Sequence, residues 1–162
     1  MTLTESNDDS TLDRPPLLRH VVQARPTKIY VASKVLHAPM WRTLRAAGAH
    51  VVSTWIDEDG PGQTKDYAEF WTRIVEEIRR ADALLFLAMP DEDHSGGTPV
   101  EAGIALGLQK PIALVGMPKK GTWINHPLVA RVSTLRHGLQ ECGIILSPAF
   151  YISDEKQAVD RG

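Results

Sequence analysis

The sequence predicts an α/β protein whose core is a doubly wound sheet of about five parallel strands. Short apolar segments alternate along the chain with longer amphipathic segments, as strands alternate with helices. The apolar segments carry few charges, which is typical of strands that are covered on both faces. Because connections between parallel strands are almost always right-handed, this pattern favours a flavodoxin-like, Rossmann-like fold.

The apolar and amphipathic segments place the individual elements. The predicted strands are residues 28–33, 49–56, 82–90 and 111–116, and the predicted helices are residues 37–48, 65–80, 99–109 and 133–142. A fifth strand is predicted either before the last helix, at residues 131–132, or after it, at residues 144–146. Gly48 has the residue type expected just after the first helix.

The composition divides the chain into two parts. Residues 1–26 are rich in Thr, Ser, Asp and Pro and predict a disordered N-terminal tail. Residues 27–162 have the length and the apolar content of a single domain with its own core.

Charge and cysteine content limit the classes of partner. The net charge of −2 gives no broad positive field for a nucleic acid polymer or an anionic membrane, and no apolar run is long enough to span a bilayer. The single cysteine, Cys142, cannot form an internal disulfide, which favours a reducing, cytoplasmic location. The histidines show no metal-ligand spacing, so we predict neither a metal nor another cofactor.

Ligands of open α/β sheets bind at the carboxyl ends of the strands. In this chain those ends lead into Ser33–His37, Trp55–Gly62, Met89–Thr98 and Gly116–Asn125. We therefore expect any site to be built from these four segments.

The segment DHSGGTPVEAGIALG, residues 93–107, places a glutamate near a predicted helix start and allows two interpretations. In the first, Thr98 is the N-cap, Pro99 the first helical residue and Glu101 the third. Thr98 and Glu101 then form a capping box, in which each side chain binds the backbone N–H of the other residue. Under this interpretation Glu101 is structural.

In the second interpretation, Glu101 attacks a sugar. Gly96 and Gly97 allow close approach of a ligand, Ser95 adds a hydroxyl, and the free N–H groups of the helix start favour an anion such as phosphate. A carboxylate beside a bound sugar can form a covalent bond with the anomeric carbon. The helix N-terminus would keep that carboxylate ionised.

From Lys28 to about Gly116 the chain resembles the nucleoside 2-deoxyribosyltransferase superfamily, which includes the nucleoside 5′-monophosphate N-glycosidases. The similar segments are KIYVAS, ADALLFLAMP and SGGTPVEAGIALGLQKPIALVG. The resemblance implies cleavage or exchange of an N-glycosidic bond, with Glu101 as the nucleophile on C1′. It also implies a small nucleoside or nucleotide substrate and a homodimer or larger homo-oligomer.

The resemblance implies further roles. Ser95 stands where deoxyribosyltransferases carry a sugar-binding aspartate and where the monophosphate glycosidases have a serine that helps hold the 5′-phosphate, which favours a nucleotide. Asp93 is an alternative for the aspartate. Asn125 matches an asparagine that family members contribute across a subunit interface. Ile74 stands where the family often has a catalytic aspartate, so we expect the proton donor to lie elsewhere, with Asp57 as a candidate.

Three side chains at the strand ends complete the predicted site, each with an ordinary alternative. Ser33 and Lys34 follow the first strand, and Lys34 either contacts a phosphate or is an exposed lysine. Trp55 either stacks on a base or anchors the core. The missing acid at Ile74 keeps a second function open, that of a nucleotide-binding sensor without turnover.

Overall fold

In a computed structural model of the chain, strands and helices alternate as the sequence predicts. The strands are β1 (Lys28–Ala32), β2 (His50–Val51), β3 (Ala83–Ala88), β4 (Ile112–Gly116) and β5 (Val129–Val132). The α-helices are α1 (Ala38–Ala46), α2 (Tyr67–Arg80), α3 (Gly97–Gly107) and α4 (Leu135–Glu141), and short 3₁₀ turns cover Val35–His37, Thr54–Asp57 and Thr122–Asn125. The structure describes residues 27–58, 65–93, 96–116, 118 and 121–144, so the predicted tail, residues 1–26, lies outside the described residues.

The five strands form one sheet in the order β2-β1-β3-β4-β5, and every neighbouring pair is parallel. This is the flavodoxin-like order of a doubly wound fold, so the predicted fold class is confirmed. The fifth strand precedes the last helix, and it begins two residues earlier than the predicted segment at 131–132.

The core lies around the two central strands. All six residues of β3 are buried, as are the last four residues of β1. Helices α2 and α3 pack against each other and against β1, while α4 packs against β3 and β4. Gly138 allows that last contact, because a Cβ atom there would lie 2.5 Å from Val115 Cγ2 and 2.9 Å from Leu85 Cδ1.

The second strand is much shorter than predicted, and the cause lies in two side chains. After Val51 the hydroxyl of Ser53 accepts a hydrogen bond from the Val31 amide at 2.7 Å, and the Trp55 indole N–H donates to the Val31 carbonyl at 2.9 Å. These bonds replace the backbone ladder that a longer strand would form. The chain is then free to turn into the 3₁₀ segment Thr54–Asp57.

The ends of two helices agree with their sequence signals. Asp66 is the N-cap of α2, and its carboxylate accepts hydrogen bonds from the amides of Ala68 at 2.8 Å and Glu69 at 3.1 Å. Gly48 follows the end of α1 with a φ of +103°, the left-handed conformation expected there. None of the helices within the described ranges is sufficiently long and apolar to cross a membrane.

Candidate active site

The carboxyl ends of β3 and β4 form one closely packed edge of the site. Gly116 pairs with Ala88 and has a φ of +84°, and a Cβ atom there would lie 2.1 Å from the Ala88 carbonyl oxygen. Only glycine fits this position. The chain therefore leaves the sheet here through a conformation that any larger residue would disturb.

Glu101 lies in the second turn of α3 and is bound to the middle of the sheet. Its side chain is almost buried, at 7% exposure, and its Oε1 atom accepts a hydrogen bond of 2.7 Å from the Tyr30 hydroxyl. Tyr30 is fully buried in β1. The carboxyl group is thus fixed through one oxygen, while no described residue forms a hydrogen bond with the other oxygen, Oε2.

The capping-box interpretation of Glu101 is wrong. Helix α3 begins at Gly97, two residues before the predicted start, and its N-cap, Gly96, has no side chain to form a cap. Thr98 is buried in the first turn instead of serving as the cap. Glu101 is consequently too far into the helix to cap it, and its carboxyl group binds Tyr30 instead.

The environment of Glu101 changes its ionisation. Burial raises the pKa of Glu101 to about 7; the Tyr30 hydrogen bond lowers this pKa, and the charge of Glu77 raises it. The expectation that the helix N-terminus keeps Glu101 ionised therefore needs correction, because near neutral pH both forms are present. Burial, then the charge and hydrogen bond of Glu101, raise the pKa of Tyr30 well above its usual value, so Tyr30 remains a donor.

A second buried carboxyl group, that of Glu77, lies on α2, the helix that packs against α3 and β1. Glu77 is 7% exposed, and its oxygens accept hydrogen bonds from the amide and the hydroxyl of Thr54, at 3.2 and 2.5 Å. The Thr54 hydroxyl in turn accepts a bond from Arg73, which also forms an ion pair with Glu58. A hydrogen-bonded network thus connects α2 with the segment that follows β2.

Sequence reasoning missed Tyr30, Thr54, Arg73 and Glu77. One signal was present for Glu77, because it lies three residues after Ile74 and one before Ile78, on the face that α2 buries. A glutamate on a buried helix face needs a partner and so marks a polar site. Ile74 itself is 1% exposed and belongs to the core, so the position of the expected acid holds an apolar side chain.

The predicted residues after β1 and β2 mostly have structural partners. Ser33 accepts a hydrogen bond from the Trp41 indole at 2.7 Å, and Lys34 is half-buried beside it. Trp55 is 7% exposed and bonded to Val31, which favours its role as a core anchor over stacking on a base. Asp57 forms a two-pronged ion pair with Arg45, whose hydrogen bonds hold the pKa of Asp57 below its usual range. A carboxylate that remains ionised is a poor proton donor.

The predicted residues of the glycine loop and of the segment after β4 lie as follows. Gly96 and Gly97 form the start of α3, and a Cβ atom at Gly97 would contact the Trp71 ring at 3.4 Å. Asp93 is exposed just before the loop, and Ser95 lies outside the described residues. Asn125 is exposed, and its side-chain amide donates to the Thr122 carbonyl at 3.3 Å.

The His, Cys, Asp and Glu side chains were compared with the arrangements that hold metal ions. In the part of the chain that the structure describes, no group of three or more of these side chains is arranged to hold a metal ion.

Comparison with known proteins identifies the fold. The structure is similar to that of a 2-deoxyribosyltransferase from the psychrotolerant bacterium Bacillus psychrosaccharolyticus, with a TM-score of 0.50 and 22% sequence identity over 67% of this chain and 87% of that one. It also matches the structure of the Clostridium botulinum CMP N-glycosidase BcmB, with a TM-score of 0.45 and 15% identity over 72% of this chain and 98% of that one. No protein-family model and no curated protein sequence matches the chain. The first similarity confirms the fold implied by the sequence resemblance.

Proposed function

We propose that this protein cleaves or exchanges the N-glycosidic bond of a (deoxy)nucleoside or its 5′-monophosphate, with Glu101 as the nucleophile. The observation that carries the proposal is the difference between the two carboxyl oxygens of Glu101. Tyr30 fixes Oε1 at 2.7 Å, whereas Oε2 makes no hydrogen bond with any described residue. One oxygen is thus held, and the other remains for a sugar.

The proposed reaction has two steps. In the first, Oε2 of ionised Glu101 forms a bond with C1′ of the sugar, and the bond between C1′ and the base nitrogen breaks, so that the base leaves with the electron pair. In the second, water or another base attacks C1′ and releases Glu101. Water gives hydrolysis, and a second base gives exchange.

Two further features support this chemistry. Helix α3, which carries Glu101 in its second turn, follows the carboxyl end of β3, and open α/β sheets bind their ligands at that edge. The 2-deoxyribosyltransferase of similar fold is described as a biocatalyst for the synthesis of nucleosides, which agrees with a glycosyl-transferring enzyme.

Several parts of the proposal rest on the sequence resemblance alone. These are the 5′-phosphate contact of Ser95, the interface role of Asn125 and the homodimer or larger homo-oligomer. Asp57 as proton donor also stays a prediction, and its ion pair with Arg45 argues against it.

The test is an assay for released base. The protein is incubated with a panel of nucleosides and 5′-monophosphates, with and without a second free base, and the products are separated by chromatography. We expect Glu101→Gln to lower turnover on the order of a thousandfold or more. Glu76→Gln, at a glutamate of α2 whose side chain is 40% exposed and paired with Arg79 and Arg80, is the matched control and should retain full activity.

The possible outcomes separate the two candidate functions. Turnover that survives in Glu101→Gln would show that the nucleophile is another group. If the wild-type protein binds a nucleotide but releases no base, the non-catalytic sensor is correct; the apolar Ile74 at the position of the expected acid is the observation that favours that alternative.

A further inference from the structure

We propose that Trp71 is a substrate-binding residue, whose indole ring is the surface on which the heterocyclic base of the nucleoside or nucleotide stacks. The inference rests on the proposed function, because it places the base beside the carboxyl group that attacks C1′. Trp71 is not among the site residues that the sequence resemblance supplies.

Helices α2 and α3 both begin at the carboxyl edge of the sheet. Each helix ends a few residues before a strand starts, α2 before β3 and α3 before β4, so its first turns lie at the opposite edge, where the strands end. The two helices pack against each other and against β1. Trp71, in the second turn of α2, therefore lies at the same edge as the start of α3. Open α/β sheets bind their ligands at this edge.

The Trp71 ring touches α3 one helical turn from Glu101. A Cβ atom at Gly97 would lie 3.4 Å from Cη2 and 3.6 Å from Cζ2 of Trp71. Gly97 and Glu101 are four residues apart and so share one face of α3. Side chains of a helix lean towards its N-terminus, which directs the carboxyl group of Glu101 towards the turn that Trp71 contacts. The indole thus borders the side of α3 that carries the proposed nucleophile.

Neighbouring aromatic rings of α2 hold the indole in place. The centres of the Phe70 and Trp71 rings lie 5.7 Å apart with an angle of 80° between the rings, and Tyr67 contacts Phe70 in the same way, at 6.5 Å and 81°. The Arg73 guanidinium lies 5.6 Å from the centre of the Phe70 ring. Such perpendicular contacts are favourable and restrict the rotation of each ring. A ring that is fixed before the ligand arrives loses less conformational entropy on binding.

The Trp71 indole differs from the tryptophans of the core. Trp41 and Trp55 are buried, and their N–H groups donate to Ser33 and to Val31. The Trp71 ring is only partly buried, and its N–H forms no hydrogen bond with any described residue. Trp71 therefore presents a planar aromatic face with a donor at its edge. A heterocyclic base is complementary to this surface, because it has an aromatic face and acceptor atoms in its plane.

The same face of α2 continues as an apolar wall. Ile74 follows Trp71 by three residues and is 1% exposed, at the position where the sequence resemblance implies an acid. In this chain α2 thus offers packing contacts where the resemblance implies a proton donor. A sugar hydroxyl or a phosphate would need polar partners, whereas the base gains from an apolar plane. The base is also joined to C1′, the atom that Glu101 attacks, so it lies within reach of this wall.

The experiment separates contact with the base from contact with the sugar. Calorimetry in the Glu101→Gln background, in which the ligands are not consumed, measures the binding of 2′-deoxyguanosine and 2′-deoxycytidine 5′-monophosphates and of 2-deoxyribose 5-phosphate, which lacks a base. We expect Trp71→Leu to weaken nucleotide binding on the order of tenfold and to leave sugar phosphate binding within about twofold. Trp71→Phe, which keeps an aromatic face, should bind the nucleotides within about threefold of the parent protein.

Fluorescence gives a second measurement, which a purely structural role of Trp71 would not change. A base stacked on an indole quenches its emission, so the nucleotides should quench the parent protein more than Trp71→Phe, although both bind. Tyr67→Leu is the control, because it removes a ring of the same helix that is 64% exposed and does not contact Gly97. This variant should bind the nucleotides like the parent protein. If Trp71→Leu does not fold, the difference in quenching between the parent and Trp71→Phe decides.

The outcomes for the inference and for the proposed function are distinct. Equal losses of nucleotide and sugar phosphate binding in Trp71→Leu, or equal losses in Trp71→Leu and Tyr67→Leu, would overturn the inference. A parent protein that binds the nucleotides no more tightly than the sugar phosphate would do the same. If Trp71→Leu weakens nucleotide binding but the wild-type protein releases no base, the proposed function is refuted and the base contact stands.

Discussion

At Glu101, two influences on one carboxyl group act in opposite directions. Burial raises its pKa to about 7, and the Tyr30 hydrogen bond lowers it. A nucleophile must be ionised, so the balance between these influences sets the pH range of the proposed reaction. Removal of the Tyr30 hydroxyl should therefore change the pKa of Glu101, and with it the pH range of the reaction.

We expect Tyr30→Phe to shift the acid limb of the kcat/KM profile to higher pH. Phenylalanine keeps the fully buried ring but removes the hydroxyl that stabilises the ionised carboxylate. A pH series of initial rates measures the shift. Tyr67→Phe, which alters an exposed tyrosine of α2, is the control. A limb that stays in place in Tyr30→Phe would mean that this hydrogen bond does not stabilise the carboxylate in solution.

At the scale of elements, the short β2 depends on side chains that satisfy the backbone of β1. Ser53 is fully buried, and its hydroxyl accepts from the Val31 amide and donates to the Val31 carbonyl, at 2.7 and 3.3 Å. The 3₁₀ segment that carries Thr54 therefore depends on Ser53 for its position.

Ser53→Ala should lower the free energy of unfolding by about 1–3 kcal/mol, because a buried amide loses its acceptor. Urea denaturation followed by circular dichroism gives this value. Ser133→Ala, at an exposed serine before α4, should change stability by less than about 0.5 kcal/mol. Equal effects of the two substitutions would show that water replaces the Ser53 hydroxyl.

The edge formed by β3 and β4 provides a second element-scale prediction. Gly116→Ala should destabilise the protein by roughly 2 kcal/mol or more, since the φ of +84° and the Ala88 carbonyl both exclude a Cβ atom. Gly103→Ala is the matched control, because a Cβ atom at this exposed helical position meets nothing within 4 Å. That control should stabilise α3 by about 0.5–1 kcal/mol. Guanidinium denaturation of both variants measures these free energies of unfolding. A Gly116→Ala variant as stable as the wild-type protein would contradict the close packing of Gly116 against Ala88.

At the scale of the whole molecule, Glu101 links folding to pH. Its pKa rises from an ordinary value of 4.5 to about 7 in the folded protein. Below pH 4.5 the group is protonated in both states. As the pH rises towards 7 the unfolded chain releases the proton first, so the folded state loses stability, up to about 3 kcal/mol.

Glu101→Gln should remove this loss. We expect the difference in unfolding free energy between pH 5 and pH 8 to be about 2–3 kcal/mol more favourable in the variant than in the wild-type protein. Urea denaturation at the two pH values measures it, and Glu76→Gln corrects for general charge effects. Parallel pH dependences in wild type and Glu101→Gln would mean that Glu101 is ionised normally in the folded protein.

Several features could be predicted because their signals are local. The apolar run of β3, the left-handed Gly48 and the amphipathic α2 need only neighbours in sequence to be recognised. The predicted start of α3 is two residues too late, because Thr98 and Pro99 have the residue types of an N-cap and a first helical residue, whereas the helix begins at Gly97. The length of β2 was misjudged because Ser53 and Trp55 act on a strand 22 and 24 residues away.

The sequence by itself determined the order of strands and helices, the parallel sheet and the glutamate near the start of α3, because hydrophobic periodicity and turn residues act over a few positions. Only the tertiary structure decided that Glu101 binds Tyr30, 71 residues away, and that Glu77 binds Thr54, 23 residues away. The physical reason is that burial and charge depend on what surrounds a group in space. Local sequence patterns do not encode the contacts that decide whether Glu101 caps a helix or is buried with a raised pKa.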